Sequence, residues 1–200
     1  MESIAMLGRT MGFSFAAGIN LYATVAILGL ASRYDWVTLP DQYRAFDNDI
    51  IIATALALYL VEFVTDKVPW LDSLWDAIHT VIRPLGGAAI AVTALGDASP
   101  TMEVLIGLLG GSLAAGTHFT KAGTRAIANT SPEPFSNWIL SLGEDAFVVG
   151  LGLVALKYPV IALAIVVVGI VTMGIFAAVL VRAIRKRWSR RAEVHDPRPV

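Results

Sequence analysis

Long apolar segments alternate with short polar connections along the chain, and this pattern predicts an all-α polytopic membrane protein. An apolar run of about 20 residues is long enough to cross the hydrocarbon core of a bilayer as a helix. The pattern predicts about six transmembrane helices: residues 3–32, 50–65, a third span that includes 85–95, 102–129, a fifth span that follows Ser131 and ends near Leu156, and 160–181.

The third predicted span has an apolar part that is too short to cross a membrane alone. Residues 85–95 would form about 16 Å of helix, and the preceding segment, 69–83, is rich in charge. Proline interrupts helices, because its ring clashes with the preceding turn, so Pro84 predicts an end or a kink. Three alternatives stay open for residues 69–83: part of a kinked span, a re-entrant segment, or an amphipathic helix at the membrane interface.

Polar side chains recur at helical spacing in three segments, which places each set on one face of a helix. The three faces are Asp72, Asp76, His79 and Arg83; His118, Lys121 and Arg125; and Glu133, Asn137 and Ser141, followed by Glu144 or Asp145. Glu62, Asp66, Lys67 and Trp70 come just before the first face. Because charge within a membrane is costly, we expect these faces to converge on one cavity.

The first predicted span carries small or polar residues every four positions: Gly8, Gly12, Ala16, Asn20 and Thr24. This pattern is typical of a helix that packs closely against its neighbours. Asn20 is either an interhelical hydrogen-bonding residue or a substrate contact. In the connection that follows, residues 33–49, the aromatic residues Tyr34, Trp36 and Tyr43 are expected to anchor the chain at the membrane interface.

Composition supports a membrane protein and excludes several functional classes. The 200 residues are 56% hydrophobic and only 16% charged, compared with about 25% charged in soluble domains, and mean hydropathy is +0.67. A net charge of −1 gives no reason to expect a nucleic-acid partner, and the lack of cysteine excludes disulfides and thiolate metal sites. The N-terminal apolar segment lacks the basic start and cleavage site of a signal peptide, so we expect it to be retained.

The orientation in the membrane is predicted from the basic C-terminal region. It contains Arg182, Arg185, Lys186, Arg187, Arg190 and Arg191. Basic segments that flank spans stay in the cytoplasm, and six spans would then place the N-terminus there too. We therefore expect a multi-pass protein of the inner (plasma) membrane with both termini in the cytoplasm. Residues 1–187 would form one transmembrane domain, 188–200 a basic tail, and the charged cavity would open to the cytoplasmic side.

A short internal match suggests that the chain contains a repeat. The sequence Ala-Ala-Gly occurs at 16–18 and again at 114–116, and the offset of 98 residues is about half of the chain. Repeats 1–98 and 99–187 would contain three spans each and would therefore have opposite orientations. Inverted repeats of this kind are common in transporters.

Several segments resemble a family of small prokaryotic integral membrane proteins, domain of unknown function family 4126. The segments are GINLYATV (18–25), VEFVTDKVPWLDSLWDAIHTVIRP (61–84), KAGTRAIANTSPEPFSN (121–137) and GED (143–145). The resemblance extends over about residues 12–155. It implies a multi-span helical fold and implies no substrate or mechanism.

The favoured function is a transporter or channel for a small ion or a polar or anionic solute. Glu62, Asp66, Asp76 or Glu144 would couple transport to an ion, His79 and His118 would relay protons, and Arg83, Lys121 and Arg125 would hold an anionic group. The alternatives are a non-catalytic membrane scaffold or assembly protein, and a protein that binds or translocates lipid headgroups.

Partners and chemistry follow from the same residues. The expected partners are the lipid bilayer, the small ion or solute, anionic lipid and a second copy of the chain. An enzyme is not favoured, because HExxH, GxSxG and a phosphate-binding glycine loop are all missing. No cofactor is expected. Asp72, Asp76 and His79 have ligand-like spacing, but a metal site is not favoured.

Overall fold

The computed structural model describes residues 2–130 and 134–195, and within these ranges the chain is helical and contains no β-strand. The helices are α1 (Glu2–Ile19), α2 (Leu21–Arg33), α3 (Asp49–Thr65), α4 (Pro69–Leu95), α5 (Pro100–Ala128), α6 (Pro134–Lys157) and α7 (Pro159–His195), with a short 3-10 helix at Asp41–Phe46 between α2 and α3. The predicted all-α class is confirmed.

Four helices in the described ranges are long and apolar enough to cross a membrane. They are α4, α5, residues Phe135–Lys157 of α6 and residues Pro159–Lys186 of α7. The apolar helices α2 and α3 have only 13 and 17 residues. These lengths and compositions fit a membrane protein.

Local sequence explains where several helices begin. Asn48 Oδ1 accepts hydrogen bonds from the backbone N–H groups of Ile50 (2.9 Å) and Ile51 (3.3 Å) and so caps α3. Pro69 occupies the first turn of α4, where no N–H is required. Ser99 caps α5, immediately before Pro100.

α4 continues through Pro84 for 27 residues, about 40 Å of helix. The charged segment 69–83 and the apolar segment 85–95 are therefore one helix, and the prediction that the helix could end at Pro84 is wrong. α5 packs tightly along this helix: a Cβ on Gly87 would lie 3.0 Å from the carbonyl oxygen of Gly110.

The predicted first span, 3–32, is not one helix but two, because the chain breaks at Asn20. Asn20 has an extended backbone (φ −145°, ψ 100°), and its Oδ1 accepts a hydrogen bond from the N–H of Ala23 at 2.9 Å. This is the N-cap geometry that asparagine favours. The side chain thus starts a new helix where the apolar pattern predicted a continuation.

The chain also reverses its direction at Asn20. We call the end of the molecule that contains Tyr158 and the turn 96–99 the Tyr158 end, and the end that contains the turn 66–68 the Lys67 end. α1 starts near the Tyr158 end, where the Arg9 guanidinium contacts the carbonyl of Leu156 at 3.5 Å. α1 then runs toward the Lys67 end as far as Asn20, whose side chain contacts Asp145 near the middle of α6.

α2 returns to the end from which α1 came. Ile27 of α2 packs against Gly152, beyond Asp145 toward the Tyr158 end. At the end of α2, Arg33 forms ion pairs with Asp47 (2.8 Å) and Asp49 (2.6 Å) at the start of α3. α1 and α2 therefore form a V whose apex is Asn20.

α1 is the central helix, with contacts to α4, α5, α6 and α7. Its small residues make this close packing feasible, as the sequence pattern predicted. A Cβ on Gly18 would overlap Thr117 Oγ1 and the carbonyl oxygen of Ala114. The Ser14 hydroxyl donates to the carbonyl of Gly87 at 3.2 Å.

The two segments of the predicted repeat run in the same direction. Ser14 lies next to Gly110, Gly18 next to Ala114, and the carbonyl of Ile19 next to Lys121, so α1 and α5 are parallel. An inverted repeat that matches residues 16–21 to 114–119 requires opposite directions, so the inverted repeat is not confirmed.

One of the three predicted interfacial aromatic residues is part of the core. Tyr43 is fully buried and packs against Phe13, with ring centroids 6.3 Å apart, whereas Tyr34 and Trp36 are exposed. The 3-10 helix turns Tyr43 inward, a local conformation that spacing alone did not reveal.

Candidate functional site

Charged side chains from α3, α4, α5 and α6 meet next to the apex of the V, and we call this group the charge network. Arg83 of α4 is fully buried. Its Nη2 lies 2.9 Å from Glu62 Oε1, and its Nη1 lies 3.0 Å from Asp76 Oδ1. Arg83 thereby joins α3 to α4.

Lys121 of α5 is surrounded by acceptors. Its Nζ lies 3.0 Å from Asp66 Oδ2, 3.3 Å from Glu62 Oε1 and 3.5 Å from Glu144 Oε2. It also donates to the carbonyl of Ile19 at 3.2 Å. This carbonyl belongs to the last turn of α1, where the helix dipole attracts a cation.

Arg125, one helical turn further along α5, uses each of its nitrogens. Nη2 contacts Glu144 Oε2 at 2.7 Å and Asp66 Oδ2 at 3.2 Å, and Nε contacts both Glu144 oxygens at 3.2 Å. Nη1 donates to the carbonyls of Asp66 (2.9 Å) and Asn137 (3.3 Å) and lies 3.9 Å from Asp72 Oδ1. The predicted convergence of the polar faces is thus observed for these residues.

The network contains more carboxylates than cations. Six acids (Glu62, Asp66, Asp72, Asp76, Glu144 and Asp145) accompany four bases (Lys67, Arg83, Lys121 and Arg125), which leaves a formal charge of −2. Among the described residues, Asp66 Oδ1, Asp72 Oδ1 and Asp145 Oδ2 are buried and have no hydrogen-bond partner. On the three cations Arg83, Lys121 and Arg125, only Arg83 Nε lacks an acceptor.

A sequence model of the family described as domain of unknown function (DUF4126) matches residues 7–181. The chain belongs to this family. The resemblance seen over 12–155 is therefore confirmed, and the whole charge network lies within the DUF4126 domain. Comparison with curated proteins and with solved structures gives no match.

The apex residue Asn20 of this DUF4126 protein binds the network through Asp145. Asn20 Nδ2 donates to Asp145 Oδ1 at 3.2 Å, and Asp145 is buried. Asp145 and its neighbour Glu144 face different partners, since Glu144 pairs with Arg125. The break between α1 and α2 is thus coupled to one carboxylate, while the adjacent carboxylate belongs to the ion pairs.

Lys67, in the turn between α3 and α4, is the fourth cation of the network and lies at its edge. Its Nζ donates to the carbonyl of Phe63 (2.7 Å) and to Ser141 Oγ (3.3 Å), and it lies over the Phe63 ring. Burial lowers the pKa of Lys67, and the charges of Asp145 and Asp66 oppose this effect.

Two histidines of the DUF4126 chain extend the network. The Arg83 guanidinium can only donate, so His118 Nδ1 accepts its hydrogen bond at 2.7 Å and Nε2–H points to Thr80 Oγ1 at 3.1 Å. His79 Nδ1–H donates to the carbonyl of Trp75 at 2.7 Å. Its Nε2 forms a hydrogen bond with the hydroxyl of Tyr22 at 2.8 Å.

Some predicted site residues lie elsewhere. Trp70 is 68% exposed and takes no part in the network. Glu133 lies outside the described residues. His79 shares a helical face with Asp76 and Arg83, but Arg83 reaches Asp76 directly, two turns away.

Three contributors were not predicted. Tyr22 and Thr80 contact the histidines, and Asn129 Nδ2 donates to Asp72 Oδ2 at 3.0 Å. All three lie in segments that carry the resemblance to DUF4126 (18–25, 61–84 and 121–137), and this is the one signal that could have identified them. Their uncharged side chains otherwise differ in no way from those of ordinary helix residues in the sequence.

A cavity of about 270 Å³ between α4 and α5 gives access to the network. Asp72, Asp76, Thr80 and Arg125 are among its lining residues. Among the described residues, no three histidine or carboxylate side chains are grouped as a metal site. The chemistry that the arrangement offers is the binding of positive charge by carboxylate oxygens.

Proposed function

We propose that this DUF4126 protein is a membrane transporter or channel for a cation, with the proton as the first candidate. The observation that carries this proposal is the imbalance in the charge network. Among the described residues, the cationic nitrogens of the network almost all have acceptors, whereas several buried carboxylate oxygens have no partner. A buried excess of negative charge is costly unless a positive charge compensates it.

The same imbalance argues against an anionic solute. Such a solute needs free donors, and every nitrogen of Arg125 already has an acceptor in the network. Lys121 has acceptors from α1, α3 and α6. An anion would have to displace carboxylates, while a proton would bind without breaking an ion pair.

The V formed by α1 and α2 supports a transport role. Transporters often place their sites where broken helices meet, because helix ends offer free backbone groups and dipoles. The end of α1 contacts Lys121, and the start of α2 is capped by the residue that contacts Asp145. Protonation of Asp145 would change the Asn20 hydrogen bond and thereby the hinge between the two helices.

Our proposed membrane arrangement differs from six spans. α3 to α7 cross the membrane, and the V enters and leaves from the Tyr158 end. We assign the Lys67 end to the cytoplasm, because basic segments that flank spans prefer that side and the basic C-terminal region follows α7. The N-terminus then faces the opposite side, contrary to the expectation that both termini are cytoplasmic. In this arrangement the charge network opens toward the cytoplasm. The membrane that contains the protein is the inner (plasma) membrane of the cell.

Proton flux through reconstituted protein tests the proposal. Purified protein in liposomes that contain a pH-sensitive dye, with valinomycin and a potassium gradient to set the potential, is expected to acidify the lumen faster than protein-free liposomes. The same liposomes with equal potassium concentrations inside and outside give the background rate of acidification. Equal rates with and without protein, for protons and also for sodium and potassium, would contradict cation transport.

A second candidate, a membrane scaffold, is favoured by the ion pairs themselves. Arg83, Lys121 and Arg125 join α3, α4, α5 and α6, and such pairs can serve to hold a helix bundle together. A scaffold requires the network only for stability. Variants that stay folded but lose flux separate the two functions.

A further inference from the structure

We infer that a crevice between α5, α6 and α7 binds a lipophilic organic cation, a positively charged group on a largely apolar body. The inference deepens the proposed function by naming a class of transported cation, and it rests on that function only for the transport step. The binding site stands on its own geometry.

The crevice has a volume of about 640 Å³, within the range of sites that hold drug-sized ligands. Phe15 of α1 lies at the inner wall of the crevice. The sides are formed by Gly143, Glu144 and Phe147 of α6 and by Val168 of α7. A smaller cavity of about 190 Å³ continues from it toward Lys121 and also contacts Glu144. Glu144 therefore stands where the apolar crevice meets the charge network.

The rim of the crevice is open and apolar. Ile139 of α6 is 71% exposed and Val168 of α7 is 53% exposed. Ile139 precedes Glu144 by five residues on the same helix. In a membrane these side chains face hydrocarbon, so an apolar molecule would reach the crevice from the lipid phase.

The charges select a cation over an anion or a neutral molecule. Glu144 is the more accessible of the two ionised groups at the inner end, with 17% of its side chain exposed against 2% for Lys121. Lys121 also has carboxylates and a carbonyl around it, so it has little to offer an anion. The network behind Glu144 has two carboxylates in excess, which adds a long-range attraction for positive charge.

Two aromatic rings strengthen this preference. Phe15 and Phe147 both line the crevice, and their ring centroids lie 6.1 Å apart at an angle of 57°. Ring faces attract cations, and the attraction is greater where water is excluded. The crevice thus combines an apolar surface for the body of the ligand, two aromatic rings and a carboxylate at its inner end.

Two probes of the same shape and opposite charge test the inference. Binding of radiolabelled tetraphenylphosphonium and of tetraphenylborate is measured on the purified full-length protein in detergent. The phosphonium is expected to bind more than about tenfold tighter, because the borate would face a carboxylate of like charge. Equal binding of the two ions, or tighter binding of the borate, would overturn the cation site.

A matched pair of glycine variants locates the site without disturbing the charge network. Neither Gly143 nor Gly150 of α6 has an atom within 4 Å of an added Cβ, and only Gly143 lines the crevice. Gly143→Leu is expected to weaken phosphonium binding about tenfold or more by filling the crevice, and Gly150→Leu is expected to leave it unchanged. Equal effects of the two variants would overturn the location.

Glu144→Gln tests the role of the carboxylate. It is expected to weaken phosphonium binding and to leave borate binding as weak as before, provided that the variant elutes as a monodisperse protein. If it does not fold, the glycine pair decides alone. Phosphonium binding without proton flux would keep this site and refute proton transport, whereas flux without phosphonium binding would refute this site only.

Discussion

Arg83→Met is expected to lower the free energy of unfolding by about 3–5 kcal/mol, the usual cost of leaving a buried charge without its partner. Arg83 is fully buried and is the shared partner of Glu62 and Asp76. Methionine fills similar volume but leaves both carboxylates uncompensated. The midpoint of thermal unfolding in detergent, followed by tryptophan fluorescence, measures the effect.

Arg44→Met is the matched control, because Arg44 is 79% exposed and its ion-pair partner among the described residues is the exposed Asp41. Exposed pairs contribute little, so this variant is expected to unfold near the wild-type temperature. The double variant Arg83→Met with Glu62→Gln is expected to recover part of the loss, since it removes one uncompensated charge. Equal stabilities for Arg83→Met and Arg44→Met would show that the network does not hold the helices together.

Asp145→Asn is expected to reduce proton flux to the rate of protein-free liposomes while leaving the protein folded. Asparagine has the shape of a protonated aspartic acid but cannot release a proton. The groups around Asp145 are Asn20 at the apex, Tyr59 and Glu62 of α3, Asp66 and Lys67 of the following turn, and Lys121 of α5. Flux in the liposome assay described above measures the change.

Asp97→Asn provides the control for Asp145→Asn, because Asp97 is exposed in the turn between α4 and α5. It is expected to leave flux unchanged. Wild-type flux in a folded Asp145→Asn protein would exclude Asp145 as the proton carrier. Loss of folding in Asp145→Asn, detected by size-exclusion chromatography, would instead favour the scaffold.

The sequence predicted most of the helices and most of the network, because both depend on periodicity. Asp72, Asp76 and Arg83 fall on one face of a helix by spacing alone, and the structure buries that face. Spacing cannot select partners, however. Arg83 passes over His79 to reach Asp76, and His79 pairs with Tyr22, because partners depend on how the helices pack.

The V could not be predicted, because a continuous helix and two helices joined at Asn20 share one apolar pattern. Asparagine within an apolar run is the only signal, and it predicts either a hydrogen bond between helices or a substrate contact. The structure contains the hydrogen bond between helices, to Asp145, and adds the helix cap, which the pattern did not predict. Tyr43 and Trp70 show the same limit: aromatic residues suit both an interface and a core, and packing decides between them.

The most direct measurement for the central claim is infrared difference spectroscopy of the purified protein as pH is changed. If the network binds a proton at its spare carboxylate oxygens, the wild-type protein will show the C=O stretching band of a buried protonated carboxyl group. This band will disappear as pH rises and will be missing in Asp145→Asn but present in Asp97→Asn. A wild-type spectrum without a pH-dependent band from a buried carboxyl group would contradict proton binding by the network.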